Sequence, residues 1–192
     1  MDTRHYGRQN PPVAEDDELA RLLSAWTADH LEAESARSRS RRHWAARMLA
    51  EESDLASVLL DLADSGAEVT VRTRGGRCHR GRIIGARRDY LAVQAAPGTV
   101  LVRLAAVTTV EPGGRMMPGG RRDPADGDLA AALGASAGTG APVVVRLAGG
   151  EEARGEIALV SGDFVALEPW TEERAWLYLP LEAVEEVLFI SG

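Results

Sequence analysis

Apolar and polar residues alternate with two different periods along this chain, and the change of period divides it. From Asp16 or Asp17 as N-cap, apolar residues fall at Leu19, Leu22, Leu23, Trp26 and Leu31, the i, i+3, i+4, i+7 stripe of an amphipathic helix. Helical character resumes through Trp44, Ala45, Met48 and Leu49, but residues 32–43 offer only alanines for apolar contact. Residues 15–52 therefore read as one long helix or a helical hairpin. The run Arg37-Ser38-Arg39-Ser40-Arg41-Arg42-His43 within it reads as a solvated helix face, with contact to nucleic acid as the alternative. Residues 1–14 are polar, contain prolines and read as disordered.

Ser53 reads as the next N-cap, opening a short helix whose Leu55, Val58, Leu59 and Leu62 share one face until Gly66 stops it. The period then falls to two. Val69 and Val71 alternate with Thr70 and Arg72, a Gly75-Gly76 turn leads into a second strand through Ile83, and Tyr90–Ala95, Val100–Arg103 and Val107–Val110 make three more. The last two are joined by a tight turn at Leu104 to Ala106. A helix and five short strands in under about 60 residues predict a small barrel. Gly81 falls inside the second strand, where a missing side chain permits the bend that closure needs.

The same pattern then recurs. Residues 54–93 and 128–167 align at an offset of 74 without a gap, with 17 of forty pairs identical. Asp54-Leu55-Ala56 returns as Asp128-Leu129-Ala130, Gly75-Gly76 as Gly149-Gly150, Arg80-Gly81 as Arg154-Gly155 and Asp89 as Asp163. After a three-residue insertion Leu104, Val107 and Val110 answer Leu181, Val184 and Val187. The chain carries a duplicated unit, with a first copy at 53–111, a Gly/Pro/Arg linker at 112–127 and a second copy at 128–192. The second copy has a weaker helix, interrupted by Gly134, Gly138 and Gly140, and bulky Phe164, Trp170, Trp176 and Tyr178 in or beside its later strands. The fold class expected is mainly β with an N-terminal α segment (α+β), two tandem five-stranded barrels each preceded by a short helix.

Charge separates the copies. The net charge of −7 is distributed as −5 over residues 1–64, +8 over 65–122 and −10 over 123–192. A basic copy invites an anionic partner, and the acidic copy is the competing one within the same protein. A single cysteine, Cys78, excludes an internal disulfide, and no apolar run approaches a membrane span or a signal-peptide core. A cytoplasmic protein with no membrane partner is expected.

The leading helix, the strand Val-Thr-Val-Arg-Thr-Arg-Gly-Gly at 69–76, the bent strand with a central glycine and the closing Ala106-Val107-Thr108-Thr109-Val110 together resemble the Sm-like fold, a small SH3-like barrel. The likeness is to the bacterial Sm-like RNA chaperones, and the second copy, with Leu179-Pro180-Leu181-Glu182-Ala183-Val184, is also similar to small barrels of ribosome-maturation factors. The whole arrangement resembles a group of proteins from high-GC Gram-positive bacteria. Asp89 and Asp163 stand near the family's nucleotide-pocket aspartate, but Ala92 and Ala166 occupy the region of its asparagine, and Arg103-Leu104-Ala105 replaces the Tyr-Lys-His before the last strand. The family's RNA pocket is not carried over.

With Val69, Val71 and Ile83 facing the core, a hairpin loop of Gly75-Gly76-Arg77 places Arg72 opposite Arg80 and Thr70 opposite Arg82 on the outer face. Like charges so placed are destabilising by up to about 1 kcal/mol, which an anion would relieve. The candidate nucleic-acid or anion-binding residues are Arg72, Arg74, Arg77, Arg80, Arg82, Arg87, Arg88 and Arg103, with Tyr90 as a base-stacking or core residue. The four histidines lack ligand spacing, Cys78 has no partner thiol, and neither a phosphate-binding loop nor a nucleophile elbow occurs, so no catalytic residue, metal, cofactor or small-molecule substrate is expected. Two functions remain: a non-catalytic protein-interaction or assembly module that docks a partner or self-associates through barrel edges and the N-terminal helix, and RNA or single-stranded nucleic-acid binding through the arginines.

Overall fold

The computed structural model describes residues 34, 37–45, 47–48, 51, 54–116, 119, 122–170 and 175–190, so the expectations for residues 1–14 and for most of 15–52 lie outside the described residues. The chain divides into two compact units, residues 1–47 and 48–192. In the first, residues 37–45 are helical and their arginines are exposed.

In the second unit, α1 (Leu55–Ser65) begins one residue later than the sequence pattern suggests. Asp54 is its N-cap, its carboxylate accepting from the Ser57 amide at 2.7 Å, and Gly66 ends it in the left-handed conformation at φ +62°. Leu59 and Leu62 are buried on one face. The strands of the first repeat are β1 (Glu68–Thr73), β2 (Cys78–Ala86), β3 (Tyr90–Ala95), β4 (Gly98–Arg103) and β5 (Val107–Pro112), with a single 3-10 turn at Leu104–Ala106. The second repeat has α2 (Leu129–Gly134), β6 (Pro142–Leu147), β7 (Glu152–Val160), β8 (Phe164–Pro169), β9 (Leu177–Pro180), a 3-10 turn at Leu181–Ala183 and β10 (Val184–Ile190). The protein is mainly β with helices.

The ten strands expected in two separate barrels run in one continuous antiparallel sheet, ordered β5-β1-β2-β3-β4-β10-β6-β7-β8-β9. The repeats are joined where β4 of the first pairs with β10 of the second, Leu101 opposite Val187. Two hydrophobic cores lie along this sheet. Leu59, Leu62, Val69, Val71, Ile83, Leu91, Val93, Val100 and Val102 form the first, and Leu129, Leu133, Val143, Val145, Ile157, Val165, Leu167 and Val187 belong to the second. At the junction the cores exchange residues: Leu101 packs into the second, while Val144 and Leu188 pack into the first. β4, β10 and β6 thus bury both faces, which explains why β6 reads Val-Val-Val where β1 reads Val-Thr-Val.

The β1–β2 hairpin departs from the expected register. Arg72 lies opposite Cys78, Thr70 opposite Arg80 and Val71 opposite His79. The loop is Arg74-Gly75-Gly76, closed by the Thr73 amide donating to the Arg77 carbonyl, and Gly76 takes φ +76°. A three-residue hairpin loop needs its left-handed residue last, and shifting the loop by one residue would place Arg77 there. Gly150 at φ +86° does the same in the second repeat, setting Arg146 opposite Glu152. The predicted Arg72–Arg80 like-charge pair does not form.

Gly81 and Gly155 both lie in the second strand of their repeats, as the offset requires. Each is where neighbouring backbone passes closest: a Cβ at Gly81 would stand 1.9 Å from the Gln94 carbonyl oxygen, and one at Gly155 2.2 Å from that of Glu168.

Candidate interaction surfaces

The strands distribute the candidate arginines over several surfaces. Arg72, Arg80 and Arg82 share the outer face of β1–β2, and Arg72 is already paired with Glu111 of β5 at 3.4 Å. At the hairpin tip the Arg74 guanidinium donates to the Ala105 carbonyl, and Arg77 stands 3.8 Å from Glu152 of the second repeat. Arg87 donates to the Ala86 carbonyl at the opposite end of β2. Arg103 donates to the Val184 and Leu181 carbonyls at 3.1 and 2.7 Å, fastening the repeats together. Tyr90 is half-buried and packs against the second core. Arg80, Arg82 and Arg88 are exposed and, among the described residues, have no carboxylate within ion-pair distance.

The junction also holds buried charges. Glu185 and Glu186 of β10 are both buried, Glu186 to 1% exposure. One Glu186 oxygen lies 2.5 Å from His79 Nε2 of β2, and the other accepts from Arg146 of β6 at 2.9 Å. Arg146 in turn donates to Glu152 at 3.0 Å, which Arg154 also contacts. Burial pushes the Glu186 carboxyl up, but hydrogen bonding and charge from His79, then from Arg146, outweigh it and hold the group below the usual carboxylate range. Glu186 and its neighbour Glu185 interrupt the apolar residues of this strand, Val184 before them and Val187 to Ile190 after.

Asp89 serves the junction as well. Its carboxylate accepts from the Leu129 amide at 3.1 and 3.3 Å, meeting the first N–H of α2, while Asp128 receives the Ala131 amide at 2.8 Å. The Asp89 carboxylate is thus occupied in holding the second repeat's helix. A cleft of about 570 Å³ beside it is lined by Asp89, Arg103, Asp163 and Glu182 among others. Among the described residues no group of three or more His, Cys, Asp or Glu is placed to hold a metal ion, and Cys78 is exposed beside the hairpin turn. No described helix is long and apolar enough to cross a membrane.

No protein-family model matches the chain, and no curated protein matches it.

The two ends of the sheet remain. Among the described residues β5 pairs only with β1 and β9 only with β8, so each has one side of its backbone unpaired by them. At the β9 end the large apolar side chains Trp170, Trp176, Leu177 and Tyr178 are 41–62% exposed, with Tyr178 edge-on to Phe164 at a centroid distance of 5.6 Å. The Trp176 ring lies 6.4 Å from that of Tyr178, so large exposed apolar side chains stand beside this strand edge.

Proposed function

We propose that this chain is a non-catalytic protein-interaction or assembly module of the cytoplasm, built on two Sm-like small barrels joined edge to edge, whose open strands dock a protein partner or further copies of the chain. The observation that carries this reading is the pair of unpaired edges, β5 and β9, at the ends of a sheet whose internal β4–β10 contact is itself an edge-to-edge junction. Exposed aromatics on the β9 edge strengthen it, since Tyr and Trp supply large contact area with little side-chain entropy to lose. Sedimentation of the purified full chain from low to high micromolar concentration, after nuclease and high-salt treatment, tests it. Species heavier than the 20.5 kDa chain are expected, and a monomer at every concentration with no co-purifying protein contradicts it.

Arg80, Arg82 and Arg88, exposed and without an ion-pair partner among the described residues, support RNA binding as a second reading. Three phosphate contacts to a single strand imply a log-log salt slope of about −2, and Arg80→Gln with Arg82→Gln flattens it by about 1 unit for all sequences alike. Fluorescence anisotropy with single-stranded RNA reads both quantities, and no binding at low salt with tens of micromolar protein removes the reading.

A further inference from the structure

We infer that the partner of the β9 edge is the β5 edge of a second copy of this chain, docked in the register that β4 and β10 use within one chain. The inference rests on the assembly reading above and specifies it.

Its basis is that the two strands of the internal junction have counterparts at the ends of the sheet that are, among the described residues, unpaired on one side, although the His79–Glu186–Arg146 cluster is not repeated there, Ala153 and Thr109 standing for His79 and Glu186. β4 corresponds to β9 and β10 to β5, each at an offset of 77, as the matching pairs Leu91–Val102 and Val165–Leu179, and Val110–Val71 and Val187–Val145, require. Positions buried at the internal junction are exposed at the ends. Leu101 is 8% exposed but Tyr178 62%, and Val100 1% but Leu177 41%. Leu129, against Asp89, is fully buried, whereas its counterpart Leu55 is 47% exposed. The counterpart of Asp89 is the exposed Asp163, whose carbonyl accepts from Leu181 just as that of Asp89 accepts from Leu104. Charge agrees, because β9 belongs to the segment of charge −10 and β5 to that of +8.

Transferring the internal pairs Glu186–Val102, Val187–Leu101 and Leu188–Val100 sets Thr109 opposite Leu179, Val110 opposite Tyr178 and Glu111 opposite Leu177 across the chains. The same transfer brings the Asp163 carboxylate to the α1 N-terminus of the neighbour at Leu55. The contact is head-to-tail, so it adds chains in one direction with basic and acidic repeats alternating.

A mixed-disulfide experiment on full chains tests the register. In a Cys78→Ser background, one chain carries Glu111→Cys and the other Leu177→Cys; residues directly opposite in an antiparallel pair lie within disulfide reach. Mild oxidation of the mixture is expected to give a covalent heterodimer in preference to either homodimer. Asp163→Ala is expected to weaken association about fivefold, the worth of one helix-cap contact, with the unfolding midpoint of the chain unchanged. Heavier species without the mixed disulfide overturn this pairing and leave the assembly reading standing. A chain that sediments as a monomer throughout overturns both.

Discussion

Gly81→Ala and Gly155→Ala are each expected to cost about 3 kcal/mol or more, or to prevent folding, although each adds only one methyl group. Neither glycine has a positive φ, so backbone torsion is not the obstacle. The obstacle is space. At Gly81 the added carbon would meet the Gln94 carbonyl oxygen at 1.9 Å and its carbon at 2.8 Å, and at Gly155 the Glu168 carbonyl at 2.2 and 2.8 Å. Those atoms belong to the adjacent strand, β3 or β8, and can retreat only by breaking the pairings Gly81–Ala95 or Gly155–Pro169. Gly149→Ala is the control: a Cβ there meets nothing within 4 Å and φ is not positive, so a change within about 0.5 kcal/mol is expected. Urea unfolding followed by circular dichroism measures all three, and a wild-type midpoint for Gly81→Ala would refute the close-approach account.

Replacing Glu186 is the other large effect. Glu186→Ala is expected to destabilise the chain by about 3–5 kcal/mol, because it removes the buried carboxylate that the Arg146 guanidinium and the His79 ring both contact and leaves those partners in place. His79 side-chain exposure is 11% and that of Arg146 is 19%, so neither regains full hydration, and among the described residues Arg146 retains only Glu152 as an ion-pair partner. Since His79 belongs to the first repeat and Glu186 to the second, the loss acts on the junction that holds the repeats in one sheet. A double-mutant cycle between His79→Ala and Glu186→Ala should show the two losses to be less than additive. Acid provides an independent check. The Glu186 carboxyl lies below its ordinary range when folded, so its contribution is complete above the unfolded value and is lost as pH falls through the folded one. Stability should therefore decline below about pH 4.3, and Glu186→Gln should flatten that decline. It should not abolish it, because Glu152 is also held low, chiefly by its hydrogen bond to Arg154 and, against burial, by Arg146. A variant with the wild-type pH profile would show that Glu186 does not carry the linkage.

Much of this protein is determined by local pattern. Alternating valines, the paired glycines at the hairpins and the apolar face that ends at Gly66 specify strands, turns and a helix from residues a few positions apart, and the offset of 74 specifies a duplication, whereas the helix cap falls on Asp54 and not on Ser53. Register was less accessible. Loops of 74–76 and of 75–77 put the same side chains on the core face, so period-two alternation cannot separate them, and the left-handed demand at Gly76 decides. One non-local feature was written in the chain: Val143-Val144-Val145, set against Val69-Thr70-Val71, signals a strand covered on both faces. What covers it, and the single sheet that results, only the tertiary structure decided. The same is true of Glu186, whose partner His79 is 107 residues away, and of Arg103 and Asp89, whose side chains serve the junction. Polar side chains carry no local mark of burial, because burial depends on which strand arrives beside them, and that arrival is fixed by the combined packing of two cores far apart in sequence.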